Sequence, residues 1–310
     1  MKIIYFGSTK DSLYTLDILI KNKFEILDIF TKKTKSSGRG LKKNSSPIEN
    51  YALENNITIK TPYTLKNDRA LINYFVDTNV DIFVVSSYGL FIPKEILSIP
   101  KFGAINIHPS LLPKFRGPSP VSSAILNGEP VTGVTIIQLD ENMDTGPILK
   151  QSKQVVIDID DSTSKLQKKL FQLGSNMLPE ILNNILKDKQ KTILQNESDA
   201  SVTKMIKKVD GQIDWNSKDI EIMRKVKAYD IWPGTFTFWK KMRIKIIDIK
   251  ITKMPTNAEP GHVFFQGKKI FINTKNKLLE ITKLQFENKK IMNATEVING
   301  YSELNESYLN

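Results

Sequence analysis

The amino-terminal third of the chain alternates short apolar runs with segments of helical spacing. Residues 2–6, 24–30 and 81–86 are apolar runs of strand length, and the third is continuously apolar, as in strands that are buried on both faces of a parallel sheet. Leucine and isoleucine recur at helical spacing over residues 11–20. A chain that alternates strands and helices in this way favours a doubly wound α/β sheet.

The carboxy-terminal third has a different pattern. A polar stretch over residues 188–206 is typical of a linker, and five short runs with strand-like alternation follow between residues 235 and 285. Short strands at such spacing predict a small β-barrel. We therefore expect an α/β domain over residues 1–187, a linker over 188–206 and a barrel domain over 207–310.

Composition narrows the class of protein. The chain has no cysteine, which excludes disulfides, thiolate metal sites and cysteine nucleophiles and fits a reducing compartment. No run approaches the roughly 18 apolar residues of a transmembrane helix, and the first residues read as a strand rather than as a signal peptide. The single Gly7 after the first run does not make a dinucleotide-binding fingerprint. We expect a protein of the bacterial cytoplasm.

The junction at residues 102–117 carries the first candidate site. Asn106 and His108 are two residues apart at the end of an apolar run, so on a strand their side chains point to the same face. Pro109 then stops the strand, and in open α/β sheets ligands bind at the carboxyl ends of strands. Arg116 follows, one of five arginines against forty lysines. Two roles for Arg116 stay open, a substrate contact and hydrogen bonds that tie the loop to the core.

An acidic turn over residues 140–146 follows a later predicted strand and holds Asp144. The site thus combines an amide, an imidazole and a carboxylate. The chain has no Gly-x-Ser-x-Gly motif for a serine nucleophile and no set of metal ligands near these residues, so this combination suits a reaction in which the substrate supplies the nucleophile. Asn106 would donate to the oxygen of a transferable acyl group, protonated His108 would stabilise the oxyanion, and Asp144 would hold the imidazolium and accept a proton from an amine. The alternative is a buried histidine that satisfies local backbone groups.

The basic residues are unevenly distributed. Of the net charge of +12, residues 201–310 hold +8, with 20 basic and 12 acidic side chains, and residues 32–43 hold six positive charges and no negative one. A polyanion that contacts both segments would explain this distribution, and so would lysines on solvated faces. Arg39 between Gly38 and Gly40 favours a functional loop, because flanking glycines let the backbone approach a partner closely.

The motif Asn106-x-His108 followed by Pro-Ser-Leu-Leu-Pro-x-x-Arg-Gly, with Asp144-Thr-Gly downstream, resembles the signature of the 10-formyltetrahydrofolate-dependent formyltransferases. The resemblance implies a Rossmann-like sheet, 10-formyltetrahydrofolate as formyl donor, no metal, and catalytic roles for Asn106, His108 and Asp144. It also implies folate contacts by Ser110, Leu111, Leu112 and Pro113, and a pterin pocket lined by Tyr88, Gly89, Leu90, Ile92, Asp140 and Met143. The chain departs from the pattern at Asn142, where glycine is usual, and at Ser87, where alanine is usual.

Further segments resemble the branch of this family that formylates methionyl-tRNA. They are Gly38-Arg39-Gly40 before Ser46-Pro47-Ile48, the turn 139–149, and the triplets Ile213-Asp214-Trp215, Trp232-Pro233-Gly234 and Glu259-Pro260-Gly261. The resemblance implies initiator methionyl-tRNA as a partner and an oligonucleotide-binding-like (OB-like) barrel. We expect tRNA contacts in the basic loop at Lys35, Arg39, Lys42 and Lys43, because lysine binds phosphate without sequence preference and arginine adds forked contacts.

Two other functions stay open. An amino-sugar nucleotide formyltransferase can also carry a carboxy-terminal barrel, but it has no need of the basic loop or of a basic carboxy-terminal third. A non-catalytic RNA-binding protein on the same fold would not need all three polar groups of the site. We expect Trp215, Tyr229 and Trp232 in the barrel core rather than as base-stacking groups, and His262 at the surface or in a turn.

Overall fold

The computed structural model describes residues 1–33 and 46–310. The residues predicted to bind tRNA, Lys35, Arg39, Lys42 and Lys43, lie outside the described residues. No helix in the described ranges is long and apolar enough to cross a bilayer. The elements are, in chain order, β1 (Lys2–Gly7), α1 (Ser12–Lys21), β2 (Glu25–Phe30), α2 (Pro47–Glu54), β3 (Thr58–Lys60), α3 (Arg69–Thr78), β4 (Ile82–Ser86), α4 (Lys94–Leu97), β5 (Ala104–His108), α5 (Pro120–Asn127), β6 (Val131–Thr132), β7 (Thr135–Gln138), β8 (Ile148–Gln151), β9 (Val155–Val156), α6 (Thr163–Leu186), α7 (Asp219–Ala228), β10 (Thr235–Trp239), β11 (Met242–Pro255), β12 (His262–Gln266), β13 (Lys269–Asn273), β14 (Lys277–Phe286), β15 (Met292–Asn293), α8 (Ala294–Gly300) and β16 (Ser307–Tyr308).

The chain divides into two compact units. The first unit comprises Met1–Pro120, Val131–Val156 and Gln167–Lys204, and the second comprises Val121–Pro130, Ile157–Leu166 and Met205–Asn310. The stretch expected to be a linker therefore groups with the first unit up to residue 204. Isolated β-bridges explain this grouping, since Ile193 pairs with Ile148 and Val202 pairs with Arg116.

The first unit is built on a seven-stranded sheet in the order β3-β2-β1-β4-β5-β7-β8. Strands β1 to β5 are mutually parallel, whereas β7 is antiparallel to β5 and β8 is antiparallel to β7. The prediction of a doubly wound α/β sheet is confirmed. Local sequence fixes the start of α2, where Ser46 and Glu49 form a capping box and Pro47 lies in the first turn.

Aromatic side chains form the centre of one core cluster in the first unit. Phe6 on β1 stacks on Phe30 of β2 at 4.9 Å between ring centroids and meets Phe83 of β4 edge-on at 5.1 Å. Phe75 of α3 packs against all three rings and has no exposed surface. These contacts dock α3 on the central strands through offset and edge-to-face pairs, the arrangements that aromatic rings favour.

The second unit contains an antiparallel sheet in the order β10-β11-β14-β13-β12-β16. Main-chain hydrogen bonds between Phe238 and Asn310, at 2.8 and 2.9 Å, bring the residues after β16 back to β10 and nearly close the barrel. Buried Asn273 ties the loop before β12 to this barrel, because its Oδ1 accepts from the main-chain N–H groups of Asn257 (2.9 Å) and Ala258 (3.1 Å). The predicted small β-barrel is confirmed.

The aromatic and histidine expectations for this unit are met in part. Trp215 and Tyr229 are buried as predicted, but Trp232 is 55% exposed. The prediction for Trp232 was wrong because the residue lies in the turn before β10, where its indole N–H donates to the Ile206 carbonyl at 3.4 Å. His262, expected at the surface or in a turn, meets the second alternative: its N–H donates to the Glu259 carbonyl at 3.1 Å where the chain enters β12, and its side chain is 15% exposed.

Two neighbouring residues of α3 test the aromatic cluster. We expect Phe75→Ala to lower the free energy of unfolding by about 3–5 kcal/mol, because it removes a fully buried ring and leaves a cavity. Val76→Ala is the control, since Val76 is 58% exposed, and should change stability by no more than about 0.5 kcal/mol. Urea unfolding followed by circular dichroism gives both values. Equal losses for the two variants would contradict the assigned core.

Candidate active site

Strand β5 presents the amide and the imidazole of the site. Asn106 and His108 lie on the confirmed strand Ala104–His108, between β4 and β7. His108 is 4% exposed, and Asn106 is half-buried. The alternation of a strand places the two side chains on one face, so a group that approaches this face meets both.

The structure brings Asp144 to that face. Asn106 Nδ2 lies 3.5 Å from Asp144 Oδ1, and His108 Nδ1 lies 3.5 Å from Asp144 Oδ2. The main-chain N–H of Gly117 donates to the same Oδ2 at 2.8 Å. The predicted trio is thus assembled around one carboxylate, whose closest donor is a main-chain group.

The neighbours of His108 define which ring nitrogen faces Asp144. His108 Nε2 lies 2.9 Å from the carbonyl oxygen of Phe115. A carbonyl oxygen only accepts hydrogen bonds, so Nε2 carries a hydrogen, and Nδ1 is the ring nitrogen that faces Asp144. Phe115 has φ of +60°, a left-handed conformation that is uncommon for a residue with a side chain and that recurs at functional sites.

Arg116 does not act as a free cation in this site. Its side chain is 6% exposed, and its guanidinium makes a forked pair with Glu197, with Nη1–Oε2 at 2.9 Å and Nη2–Oε1 at 2.7 Å. The hydrogen bond to Glu197 raises the pKa of Arg116, and the same bond lowers the pKa of the Glu197 carboxyl. Of the two roles left open by the sequence, the structure supports hydrogen bonds that tie the loop to the core. Lysine cannot replace this planar fork.

The predicted folate segment is held firmly by its own contacts. Ser110 is buried and its hydroxyl donates to a main-chain carbonyl four residues on, at 2.7 Å. Leu112 is buried as well, and its N–H donates to the Thr135 hydroxyl at 3.0 Å. Leu111 and Pro113 are partly exposed. Ser110 and Leu112 are thus fixed in the loop, whereas Leu111 and Pro113 keep exposed side-chain surface.

A cavity of about 330 Å³ lies beside the acidic turn. Asp140, predicted for the pterin pocket, lines it, and the Asp140 carboxylate also accepts from the Thr145 hydroxyl at 2.8 Å and from the Asn142 N–H at 3.0 Å. These bonds brace the turn that carries Asp144. The other lining residues are Lys94, Leu97, Ser98, Leu139, Glu141 and Asn142.

The remaining predicted pterin residues lie outside that lining. Tyr88 and Ile92 are buried, Leu90 is half-buried, Gly89 is exposed and Met143 is 61% exposed. The Tyr88 hydroxyl is buried without a hydrogen-bond partner among the described residues, and burial raises its pKa. A buried hydroxyl without a partner is costly unless a ligand or water satisfies it.

Two contributors to the site were missed by sequence reasoning. Phe115 acts through its carbonyl and Gly117 through its N–H, and main-chain groups leave no side-chain pattern to detect. Their only signal is their position around Arg116 of the motif. Within residues 1–33 and 46–310, no cluster of three or more histidine, aspartate or glutamate residues could hold a metal ion.

Comparisons with known proteins identify the family of the chain. The family model for formyl transferase matches residues 1–182, and that for the formyl transferase carboxy-terminal domain matches residues 205–302. The methionyl-tRNA formyltransferase of Ehrlichia chaffeensis is 41% identical over 313 residues, covering 99% of each chain, and that of Chloroflexus aggregans is 35% identical, covering 97% of each.

A solved structure shares the fold. HypX from Aquifex aeolicus superposes with a TM-score of 0.68 at 16% identity, over 98% of this chain and 48% of the HypX chain, so this chain spans about half of HypX. The identity is too low for that likeness to bear on more than the fold. The family models and the full-length relatives place the chain in the formyl transferase family, among the methionyl-tRNA formyltransferases.

Proposed function

We propose that this chain transfers the formyl group of 10-formyltetrahydrofolate to the α-amino group of methionyl-initiator tRNA, giving N-formylmethionyl-tRNA for translation initiation. The observation that carries the proposal is the convergence of Asn106, His108 and Asp144 in a chain whose relatives of this name match it over nearly their whole length. Those relatives are bacterial, which supports the bacterial cytoplasm as the compartment.

The donor is a substrate, and the residues of the first unit fit it. A pterin presents ring N–H donors and acceptors on an apolar body. The cavity beside the acidic turn offers the Asp140 carboxylate and apolar walls from Leu97 and Leu139, and the buried Tyr88 hydroxyl lacks a partner among the described residues. We propose that Leu111 and Pro113 contact the folate along its length.

The long distances in the trio leave donors free for the reacting group. Charge-assisted hydrogen bonds are about 2.7–2.9 Å long, whereas Asn106 and His108 each lie 3.5 Å from Asp144. Neither donor is committed to the carboxylate. Both can therefore turn part of their hydrogen bonding towards a formyl oxygen as negative charge develops on it.

The proposed step balances as a transfer between two nitrogens. The methionyl amine attacks the formyl carbon, a new C–N bond forms, and the bond between that carbon and N10 of the donor breaks. Asn106 Nδ2 and protonated His108 Nδ1 donate to the formyl oxygen. Asp144 accepts the proton that the amine loses, and this proton is passed on to N10 as that nitrogen leaves, so the proton count is unchanged.

Charge and similarity favour tRNA over the alternative acceptors. The net charge of +8 in residues 201–310 suits a partner that is held by its phosphates. An amino-sugar nucleotide does not require this charge, and the full-length relatives carry the methionyl-tRNA name. A non-catalytic RNA-binding role does not explain why Asn106, His108 and Asp144 are brought together on one face of β5.

The assay that tests the proposal offers initiator methionyl-tRNA and an amino-sugar nucleotide to the enzyme in parallel, with 10-formyltetrahydrofolate labelled in the formyl group. We expect the label on the methionine amino group of the tRNA. Label on the sugar alone would replace the proposal with the amino-sugar alternative. No transfer to either acceptor would favour the binding-protein alternative.

Asp144→Asn tests the carboxylate. Asparagine tolerates the left-handed conformation of Asp144 (φ +56°) and keeps an oxygen for the Gly117 N–H, but it cannot take the proton of the amine. We expect turnover to fall by about 10²- to 10⁴-fold while tRNA binding, measured by filter retention, is kept. Asp188→Asn is the matched control, because Asp188 is exposed and has φ of +53°. Near-normal turnover for Asp144→Asn would remove Asp144 from the mechanism.

Arg39→Ala tests the basic loop. We expect kcat/KM for methionyl-tRNA to fall by the equivalent of about 1–3 kcal/mol, the typical cost of a lost forked contact to nucleic acid. The KM for the folate donor should be unchanged. Arg69→Ala, which truncates an exposed arginine of α3, is the control. Unchanged tRNA kinetics in Arg39→Ala would show that the loop is a solvated connection.

A further inference from the structure

The side chain of Gln195 joins Arg116 to the turn that carries Asp144. Its Oε1 accepts from Arg116 Nε at 3.0 Å, and its Nε2 donates to the carbonyls of Asp144 and Gly146, each at 2.8 Å. We propose that Gln195 is a positioning residue for Asp144, and that Arg116 fixes the orientation of its amide. This inference rests on the proposed formyl transfer, since it assigns to Gln195 the alignment of the carboxylate used there.

The turn around Asp144 has an uncommon backbone conformation and lies close to the sheet. Asp144 has φ of +56°, in the left-handed region that aspartate adopts more readily than most residues with a side chain. Two residues on, a Cβ added to Gly146 would lie 1.8 Å from the Gln138 carbonyl oxygen, so the chain passes very close to β7. The two hydrogen bonds from Gln195 hold the main-chain carbonyls of Asp144 and Gly146. They therefore fix the main chain that carries the Asp144 side chain.

Gln195 is itself held in one orientation. Arg116 Nε can only donate, so the oxygen of the Gln195 amide must face it and the nitrogen must face the two carbonyls. Arg116 cannot swing away, because Glu197 occupies the other edge of its guanidinium. Its main chain is also fixed: the N–H donates to Ser201 O at 2.8 Å, and the C=O accepts from Thr203 N at 2.7 Å.

The residues on either side of Arg116 complete the same scaffold. Phe115 O receives the hydrogen bond of His108 Nε2, and Gly117 N–H donates to Asp144 Oδ2. Three consecutive residues therefore orient the imidazole, the Asp144 side chain and, through Gln195, the Asp144 main chain. Loss of the Gln195 bonds should shift the Asp144 carboxylate relative to His108, whereas Asp140, which lines the proposed donor cavity, keeps its own bonds to Asn142 and Thr145. The effect is expected in kcat and not in KM.

Gln195→Met tests this role, because methionine has a similar length and cannot form any of the three hydrogen bonds. Gln195→Glu keeps an oxygen for Arg116 but, when ionised, has no donor for the carbonyls. We expect both variants to lower kcat by about 10- to 100-fold, the range for a misplaced catalytic group, with the KM for methionyl-tRNA and for the donor near the wild-type values.

Gln190→Met is the matched control. Gln190 Nε2 also donates to two carbonyls, those of Leu149 and Lys191, at 2.9 and 2.8 Å, and these lie outside the Asp144 turn. This variant should keep the wild-type kcat. All four proteins are assayed at a temperature at which circular dichroism shows them to be folded, so that a loss of folded protein is separated from a loss of turnover.

The outcomes separate this inference from the proposed function. A wild-type enzyme that fails to formylate methionyl-tRNA overturns the proposed function. A wild-type enzyme that is active, with wild-type kcat in folded Gln195→Met or Gln195→Glu, overturns the role of Gln195 alone. An equal loss of kcat in Gln190→Met and Gln195→Met also overturns it, since the effect would then be general to the segment.

Discussion

The hydrogen bond from the Gly117 N–H to the Asp144 carboxylate, at 2.8 Å, is the contact on which the candidate site depends. It is the shortest bond that the carboxylate makes, and it fixes one oxygen while Asn106 and His108 lie at 3.5 Å. A donor supplied by the main chain does not compete for the substrate. In the proposed mechanism, the side-chain donors are thereby left for the atoms that change charge during transfer, which is the arrangement that preorganised active sites require.

The loop that follows β5 provides this scaffold because it is bonded to the protein on both sides. Its first half returns to the sheet through Leu112 and Thr135. Its second half is held by the segment 195–203, through side chain and main chain of Arg116. Arginine suits this position since its five donors satisfy Glu197 and Gln195 together, and a lysine ammonium has no such geometry. This geometry explains why position 116 holds an arginine in a chain with forty lysines and five arginines.

Much of the site could be predicted from sequence, because its key side chains follow strand periodicity. Asn106 and His108 share a face on account of their spacing, and the motif pointed to Asp144. The contributions of Phe115, Gly117 and Gln195 were not predictable, since they are made by or to main-chain groups.

The polar segment that contains Gln195 reads as a linker, although its bonds to Arg116 and to the Asp144 turn attach it to the first unit. The reversal of direction at β7 was hidden as well, since apolar periodicity does not encode whether neighbouring strands are parallel. Exposure of Trp232 depends on tertiary packing around a turn, which local composition does not specify.

A crystal structure of the enzyme with a non-transferable formyl-folate analogue and methionyl-tRNA would show directly whether the reaction takes place at this site. We predict that the formyl oxygen accepts a hydrogen bond from Asn106 Nδ2, and that the methionyl amino nitrogen lies within hydrogen-bond reach of the Asp144 carboxylate beside His108. A formyl group bound beyond the reach of Asn106 and His108, with the amine directed at other side chains, would contradict the assignment of the reaction to this site.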